Sequence, residues 1–317
     1  MQEVAKDKDV LVVGAGKSAV DNAVAAAKTG KSSTLLFRNA HWPVPRNLLN
    51  LLPFKWGTYS RFGHFMLPAH YKMPAAMKYV HALLQPIKWV WWRVVEWMFR
   101  IQFGLRGDLI PKTPIEIDLF TGGQILTYEF SKMLRKKTVA AKKASIDRYT
   151  ETGVVLTDGT EMPADLVIYG TGFKKNYDIF DSLVQRRLEK DKDGLYLYRN
   201  VIPPGVANIA FVGSEVSTFN NILTHSMQAQ WLKRVLRGDI VLPSPGMMRK
   251  EMETEQAWKR TWMPPTSARS SIWQLHMMKY HDTLCEDMGE RKFRKGLNFL
   301  GELFAPYSAR DYRKICS

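Results

Sequence analysis

This sequence predicts an α/β fold built on a parallel sheet, and three observations predict it. Residues 10–13, "VLVV", form an apolar run that enters a glycine-spaced turn, "GAGKSA", and then an alanine-rich stretch. A second apolar run, "STLLF", follows about twenty residues after the turn opens. Two later segments, "DLVIYGTGF" and "NIAFVGSEV", repeat the move of an apolar run ending in small residues. Alternating buried strands and helices are the mark of a helix-covered parallel sheet.

Composition sets the bounds. At 317 residues the chain has the length for about two domains. Hydrophobic residues at 45% and charged residues at 24% exclude wholesale disorder. The two cysteines, Cys285 and Cys316, are too far apart for a metal knuckle and too few for a disulfide framework. With the polar opening "MQEVAKDKD", which lacks a secretory-signal pattern, they point to the cytosol or a cytosol-facing membrane surface. A net charge of +16 invites nucleic acid or an anionic membrane, yet the basic residues are scattered, densest in "MLRKKTVAAKK" and "ERKFRKG". No zinc-finger, basic-zipper or RNA-recognition signature accompanies them, so they read as solvated faces and no nucleic-acid partner is expected.

The elements follow in order. Residues 10–13 read as a buried strand, 17–28 as a helix ending at Gly30, and 33–38 as a second strand. Residues 41–107 are aromatic and proline-spaced and read as a helical insertion. Within it, "PIKWVWWRVVEWMFRIQFGL" spaces Arg93, Glu96 and Arg100 by three and four, which gathers charge on one helix face and argues against a membrane span. Residues 124–137 read as a helix, followed by a strand, an Asp158-Gly159 turn, and a buried strand ending at Gly170-Thr171-Gly172. Residues 206–238 repeat strand, small-residue turn and helix, and the chain beyond Pro243 reads as helical to its end.

The first turn admits two phosphate-binding readings that share one physics: amide groups at a helix N-terminus cradle an anion. A triphosphate loop ending in Gly16-Lys17-Ser18 requires glycine at position 11, where Leu11 stands, and a later strand ending in a metal-binding aspartate. It fails on both counts. The dinucleotide turn G-x-G-x-x-G/A fits: Gly14 for the tight turn, Gly16 for close approach of a pyrophosphate, Ala19 for close helix packing. Strand, turn, helix and strand then form a Rossmann-type unit, with Lys17 and Ser18 in the exposed first turn. At the end of the second strand an acidic residue selects NAD and an arginine accepts the 2′-phosphate of NADP. Arg38 stands there, with Ser32, Ser33 and Thr34 as candidate hydroxyl donors, so NADPH is the expected cofactor.

Together, "VLVVGAGKSAVDNA", "TLLFRNAHWPVPR", "DLVIYGTGF" and "VGSEVSTFNNILTHSMQAQW" resemble the flavin-containing monooxygenase family, a two-dinucleotide-domain flavoprotein type. The resemblance covers most of residues 8–238. It implies NADPH on Gly14, Gly16, Lys17, Ser18 and Arg38, a domain junction at Gly170, Thr171 and Gly172, and FAD near Asn221, Ile222 and Leu223. In that family reduced flavin reacts with dioxygen, and bound NADP⁺ shields the resulting C4a-hydroperoxide until a soft nitrogen, sulfur or carbonyl substrate takes oxygen. Such chemistry is largely the cofactor's own, so no catalytic side chain is assigned. The implied organisation is an NADPH-binding Rossmann-like domain over 1–170, a return segment of the FAD-binding domain over 171–240, and a helical region over 241–317. The family's FAD-binding glycine turn and its F-x-G-x-x-x-H fingerprint have no counterpart here, so the FAD site is incomplete in this chain. Either a fragment of a longer polypeptide is expected, or a truncated product, in which case no turnover by the chain alone is expected.

Other residues read more plainly. Asn220 or Asn221 is expected to cap a helix, with His225 satisfied on its first turn. The remaining histidines show no metal spacing, and Ser18 and Ser214 lack a nucleophile-elbow context, so neither a metal nor a hydrolase is expected. Trp89, Trp91, Trp92 and Trp97 suit either a peripheral membrane interface or an aromatic helix that lines the substrate cleft or packs the insertion. Two rivals stay open: an NADPH-binding flavoprotein reductase, although no Cys-x-x-Cys pair supports the disulfide version, and a non-catalytic nucleotide-binding or membrane-surface module.

Overall fold

The computed structural model describes residues 2–49, 51–122, 124–125 and 128–316. The chain divides into two compact units, Met1–Phe54 with Val90–Lys175, and Lys55–Trp89 with Asn176–Ser317.

The first unit is α/β. Its sheet is all parallel, in the order Leu166–Tyr169, Asp9–Val13, Ser32–Phe37, Ala140–Lys143. Val10, Leu11 and Val12 are buried at its centre, as a continuous apolar run in a covered parallel sheet requires. The helix Lys17–Ala26 buries Ala19, Val20, Ala23, Val24 and Ala26, a stripe at helical spacing that packs with Phe103 and Phe130. A separate antiparallel sheet joins Ile146–Thr150, Gly153–Leu156 and Glu161–Pro163. Its turn is the expected one: Gly159 adopts φ +80°, and Asp158 accepts the Thr160 amide at 3.0 Å.

Several expectations need correction. The segment read as one helix over 124–137 begins as a strand, Gln124–Ile125, paired with Pro43–Val44; its helix is Tyr128–Arg135, and residues 126–127 lie outside the described ones. Leu166–Tyr169 is an edge strand of partial burial rather than a buried one. The apolar run 208–212 forms no strand: a strand exists only where a ladder is made, and here Phe211 donates to the Val201 carbonyl without a flanking strand.

The helix Gln85–Phe103 turns Trp92, Val95, Phe99 and Phe103 inward. Its charges also face inward in part, since Glu96 is buried, accepts the Ile115 amide at 3.0 Å and pairs with Arg93. The outward stripe is apolar: Ile87, Val90, Val94, Trp97 and Ile101 are all exposed. Among the described residues no helix is long and apolar enough to cross a membrane.

The second unit is mainly helical. Asn221–Leu236, Pro245–Trp262 and Met277–Asp287 enclose a core centred on Leu223, Met227, Trp231, Trp273 and Leu284. Arg61 ties the 55–89 segment to this core through Asp282 at 2.8 Å and Glu302 at 2.5 Å.

Candidate functional site

The carboxyl edge of the parallel sheet assembles the phosphate turn. The Gly14 amide donates to Leu36 and the Gly170 amide to Val13, each at 2.8 Å, so the turn is registered against both neighbouring strands. Gly14 adopts φ +138°, and a Cβ there would lie 2.4 Å from the Gly170 carbonyl oxygen. A Cβ on Gly170 would in turn meet that of Ala19 at 2.5 Å. Small side chains at 14, 19 and 170 are therefore a packing requirement of helix against sheet. Gly16 differs, because its Cβ would find nothing nearer than 3.8 Å. The fold does not demand its bareness, and its missing side chain leaves open space above the turn. It also begins the helix Lys17–Ala26 with no side-chain cap, leaving that role to an external acceptor. Lys17 and Ser18 are exposed in the first turn, and Lys17 forms an i,i+4 pair with Asp21.

Arg38 follows the strand Ser32–Phe37 at the same sheet edge, is exposed, and engages no partner among the described residues. Ser32 and Ser33 do not join it. They sit at the other end of the strand, where Ser32 donates to Asp9 at 2.6 Å and Ser33 to the Ala23 carbonyl at 2.9 Å. Lys31 also holds Asp9, and these bonds keep its carboxyl below the usual range. Five residues of extended strand separate the two ends by roughly 16 Å. Thr34 lies within the strand.

A small, mostly apolar cleft of about 50 Å³ opens beside the turn between Ala15, Phe37, His41, Trp42 and Phe130. His41 enters it with one nitrogen tied down, as Nδ1 lies 2.8 Å from the Asp118 carboxylate. Asp118 is 2% exposed, and its other oxygen accepts the Trp42 amide at 2.7 Å. No sequence motif announces this pair, because 77 residues separate its members.

The structure brings Gly14, Gly16, Lys17, Ser18, Arg38 and Gly170 to one edge of one unit, with exposed Thr171 and Gly172 just beyond the last strand. Asn221, Ile222 and Leu223 belong to the second unit. There Asn220 is the cap, accepting the Leu223 amide at 3.4 Å, while Asn221 accepts the Thr218 amide at 2.8 Å. Ile222 is 85% exposed, but Leu223 is 5% exposed and lies in the core, turned away from any ligand by helical geometry. The His225 ring packs under Gly213, and its buried Nε2 finds no hydrogen-bond partner among the described residues, contrary to expectation.

The second unit holds buried histidines instead. His64 Nε2 and His276 Nδ1 share a hydrogen bond of 3.0 Å, and His281 meets Thr224 at 2.8 Å. Burial drives His64 and His276 far below the ordinary histidine range and pulls His70 and His281 down to about 3. No cluster of three or more His, Cys, Asp or Glu able to hold a metal occurs among the described residues.

The chain is similar to known proteins in sequence and in fold. A family model described as "FMO-like: Flavin-binding monooxygenase-like" matches residues 1–293. The chain is 31% identical to "Probable flavin-containing monooxygenase 1" of Arabidopsis thaliana, over 96% of this chain and 59% of that protein. It is 24% identical to "Flavin-containing monooxygenase 3" of Homo sapiens, over 90% of this chain and 49% of that protein. Thus it spans between about half and three fifths of these relatives' length. Among solved structures, S-allyl-L-cysteine S-oxygenase from Allium sativum superposes with a TM-score of 0.53 at 15% identity, over 99% of this chain and 49% of that one. A cyclohexanone-bound cyclohexanone monooxygenase gives 0.54 at 16%, over 89% and 65%. At such identities the likeness is one of fold.

Proposed function

The chain belongs to the flavin-binding monooxygenase-like family, and on that premise we propose that it forms the NADPH-binding and flavin-return portion of a flavin-dependent monooxygenase acting on a soft nitrogen, sulfur or carbonyl substrate. The observation that carries the proposal is the pairing of an uncapped, unobstructed turn at Gly16 with the Arg38 guanidinium, unengaged among the described residues, at the same sheet edge. The turn amides and the dipole of the helix Lys17–Ala26 hold the pyrophosphate, and Arg38 holds the ribose 2′-phosphate as a bidentate, charge-assisted partner. These residues fit NADPH. Of the residues Asn220–Leu223 that open the helix, Asn221 and Ile222 are the exposed ones toward a flavin, because Asn220 already serves the helix and Leu223 the core. When both cofactors are bound, the flavin supplies oxygen activation with reducing equivalents from NADPH; this chain's own residues bind and orient the nicotinamide dinucleotide.

Titration of the purified chain with NADPH and NADH, for wild type and Arg38→Ala, tests the reading. The expected result is a preference for NADPH that Arg38→Ala abolishes; equal affinities in the wild type overturn it. Adding FAD and dioxygen then separates the functional rivals: NADPH binding without oxidation is the behaviour of a nucleotide-binding module, and oxidation without oxygenated product is that of a reductase.

A peripheral membrane contact is a second reading, favoured by the exposed stripe Ile87, Val90, Val94, Trp97 and Ile101 with its neighbours Trp89 and Trp91. An apolar helix edge of this kind lies in an interface without spanning it. Trp92 takes no part, being core. Co-sedimentation with anionic vesicles is the test, and failure of the wild type to sediment ends the idea.

A further inference from the structure

We propose that His41, held by Asp118, is a second specificity-determining residue for the phosphorylated dinucleotide, donating from Nε2 to the 2′-phosphate alongside Arg38. This rests on the NADPH reading above.

The ring is placed from several sides. An ionised carboxylate only accepts, so the proton in the 2.8 Å contact with Asp118 belongs to His41 Nδ1, which makes Nε2 the nitrogen available to a ligand. Asp118 is itself fixed by the Trp42 amide at 2.7 Å, and the Trp42 indole donates to the Thr113 carbonyl at 2.8 Å. The helix Ile115–Thr121 that carries Asp118 is anchored through the Ile115 amide to Glu96 and through Glu116 to Arg93. Gly122 completes the seat: a Cβ there would fall 1.8 Å from His41 Nδ1. A histidine recruited for packing alone is buried, as His64 and His276 are, whereas the His41 side chain remains 31% exposed and lines the cleft that Ala15 also lines. Ala15 stands between Gly14 and Gly16, so this cleft borders the proposed phosphate turn.

Charge and reach agree with that role. Arg38 and His41 are three residues apart, so their Cα atoms lie within about 11 Å, inside the span of two side chains converging on one phosphate. Asp118 faces the opposite edge of the ring, the one that carries Nδ1. With Nδ1–H given to Asp118, Nε2 donates to a phosphate only as the imidazolium, a cation flanked there by the Asp118 carboxylate and the phosphate dianion; a ribose hydroxyl uses such a charge-assisted donor poorly.

The test compares NADPH and NADH affinities for wild type, His41→Gln, Asp118→Asn and Arg38→Ala, with a thermal melt for each. His41→Gln is expected to weaken NADPH about tenfold, the scale of one hydrogen bond to a charged group, and to leave NADH unchanged. Asp118→Asn is expected to give a smaller loss of the same selectivity. A merely structural role moves both coenzymes equally, and that result overturns the proposal, as does a His41→Gln ratio equal to wild type while Arg38→Ala collapses it. Absence of any NADPH preference in the wild type instead overturns the reading beneath it.

Discussion

The Gly14 Cα faces the Gly170 carbonyl so closely that a methyl group on it would sit 2.4 Å from the oxygen. Gly14→Ala combines that clash with a left-handed φ of +138° and is expected to destabilise the first unit by about 2–4 kcal/mol. Gly16→Ala meets nothing nearer than 3.8 Å and is expected to melt like wild type while losing dinucleotide affinity. Thermal melts beside NADPH titrations separate the two, and a Gly16→Ala chain that binds normally removes the pyrophosphate from this turn.

The buried histidines make the second unit acid-labile. The unfolded chain takes protons at histidine below about pH 6.5, whereas the folded chain holds His70 and His281 neutral down to about 3. Stability is therefore complete above that window and falls as pH drops through it, by about 2 kcal/mol per such group at pH 5. His70→Phe keeps a ring against Tyr71 and Trp258 and removes one titrating site. Urea titrations from pH 7.5 to 5 are expected to show a shallower pH dependence in this variant than in wild type.

Arg61 is the central cation of a buried ionic cluster, donating to Asp282, Glu302, the Lys292 carbonyl and the Tyr307 hydroxyl. Arg61→Met strands two inward carboxylates and is expected to cost about 3–5 kcal/mol. Adding Asp282→Asn removes one of those charges, so the double variant is expected to be more stable than the single. Denaturant midpoints check the order.

Trp92 and Trp97 are neighbours on one helix with opposite duties. Trp92 is 7% exposed, and Trp92→Ala is expected to cost about 3–5 kcal/mol in a melt. Trp97 is 61% exposed; Trp97→Asp is expected to leave the melt unchanged and to lower sedimentation with vesicles.

What was legible in the sequence was local. Gly14, Gly16 and Ala19 at fixed spacing, after an apolar run and before an alanine-rich one, specify a strand, a tight turn and a close-packed helix through backbone rules within about ten residues. Arg38 was readable for the same reason, since strand length alone sets where a strand ends. The helical character of the insertion and the Asp158-Gly159 turn followed from equally short-range rules.

Tertiary structure decided the rest. Direction along a parallel strand put Ser32 and Ser33 at the edge opposite Arg38, and the lack of a neighbouring ladder kept residues 208–212 from becoming a strand. Burial sent Leu223 and Trp92 into cores, and turned Glu96 inward while an apolar stripe faced out. The His41 and Asp118 pair depends on a contact across 77 residues that no periodicity encodes. Short-range dihedral and spacing preferences are written residue by residue, whereas which side chains meet depends on how the whole chain closes upon itself.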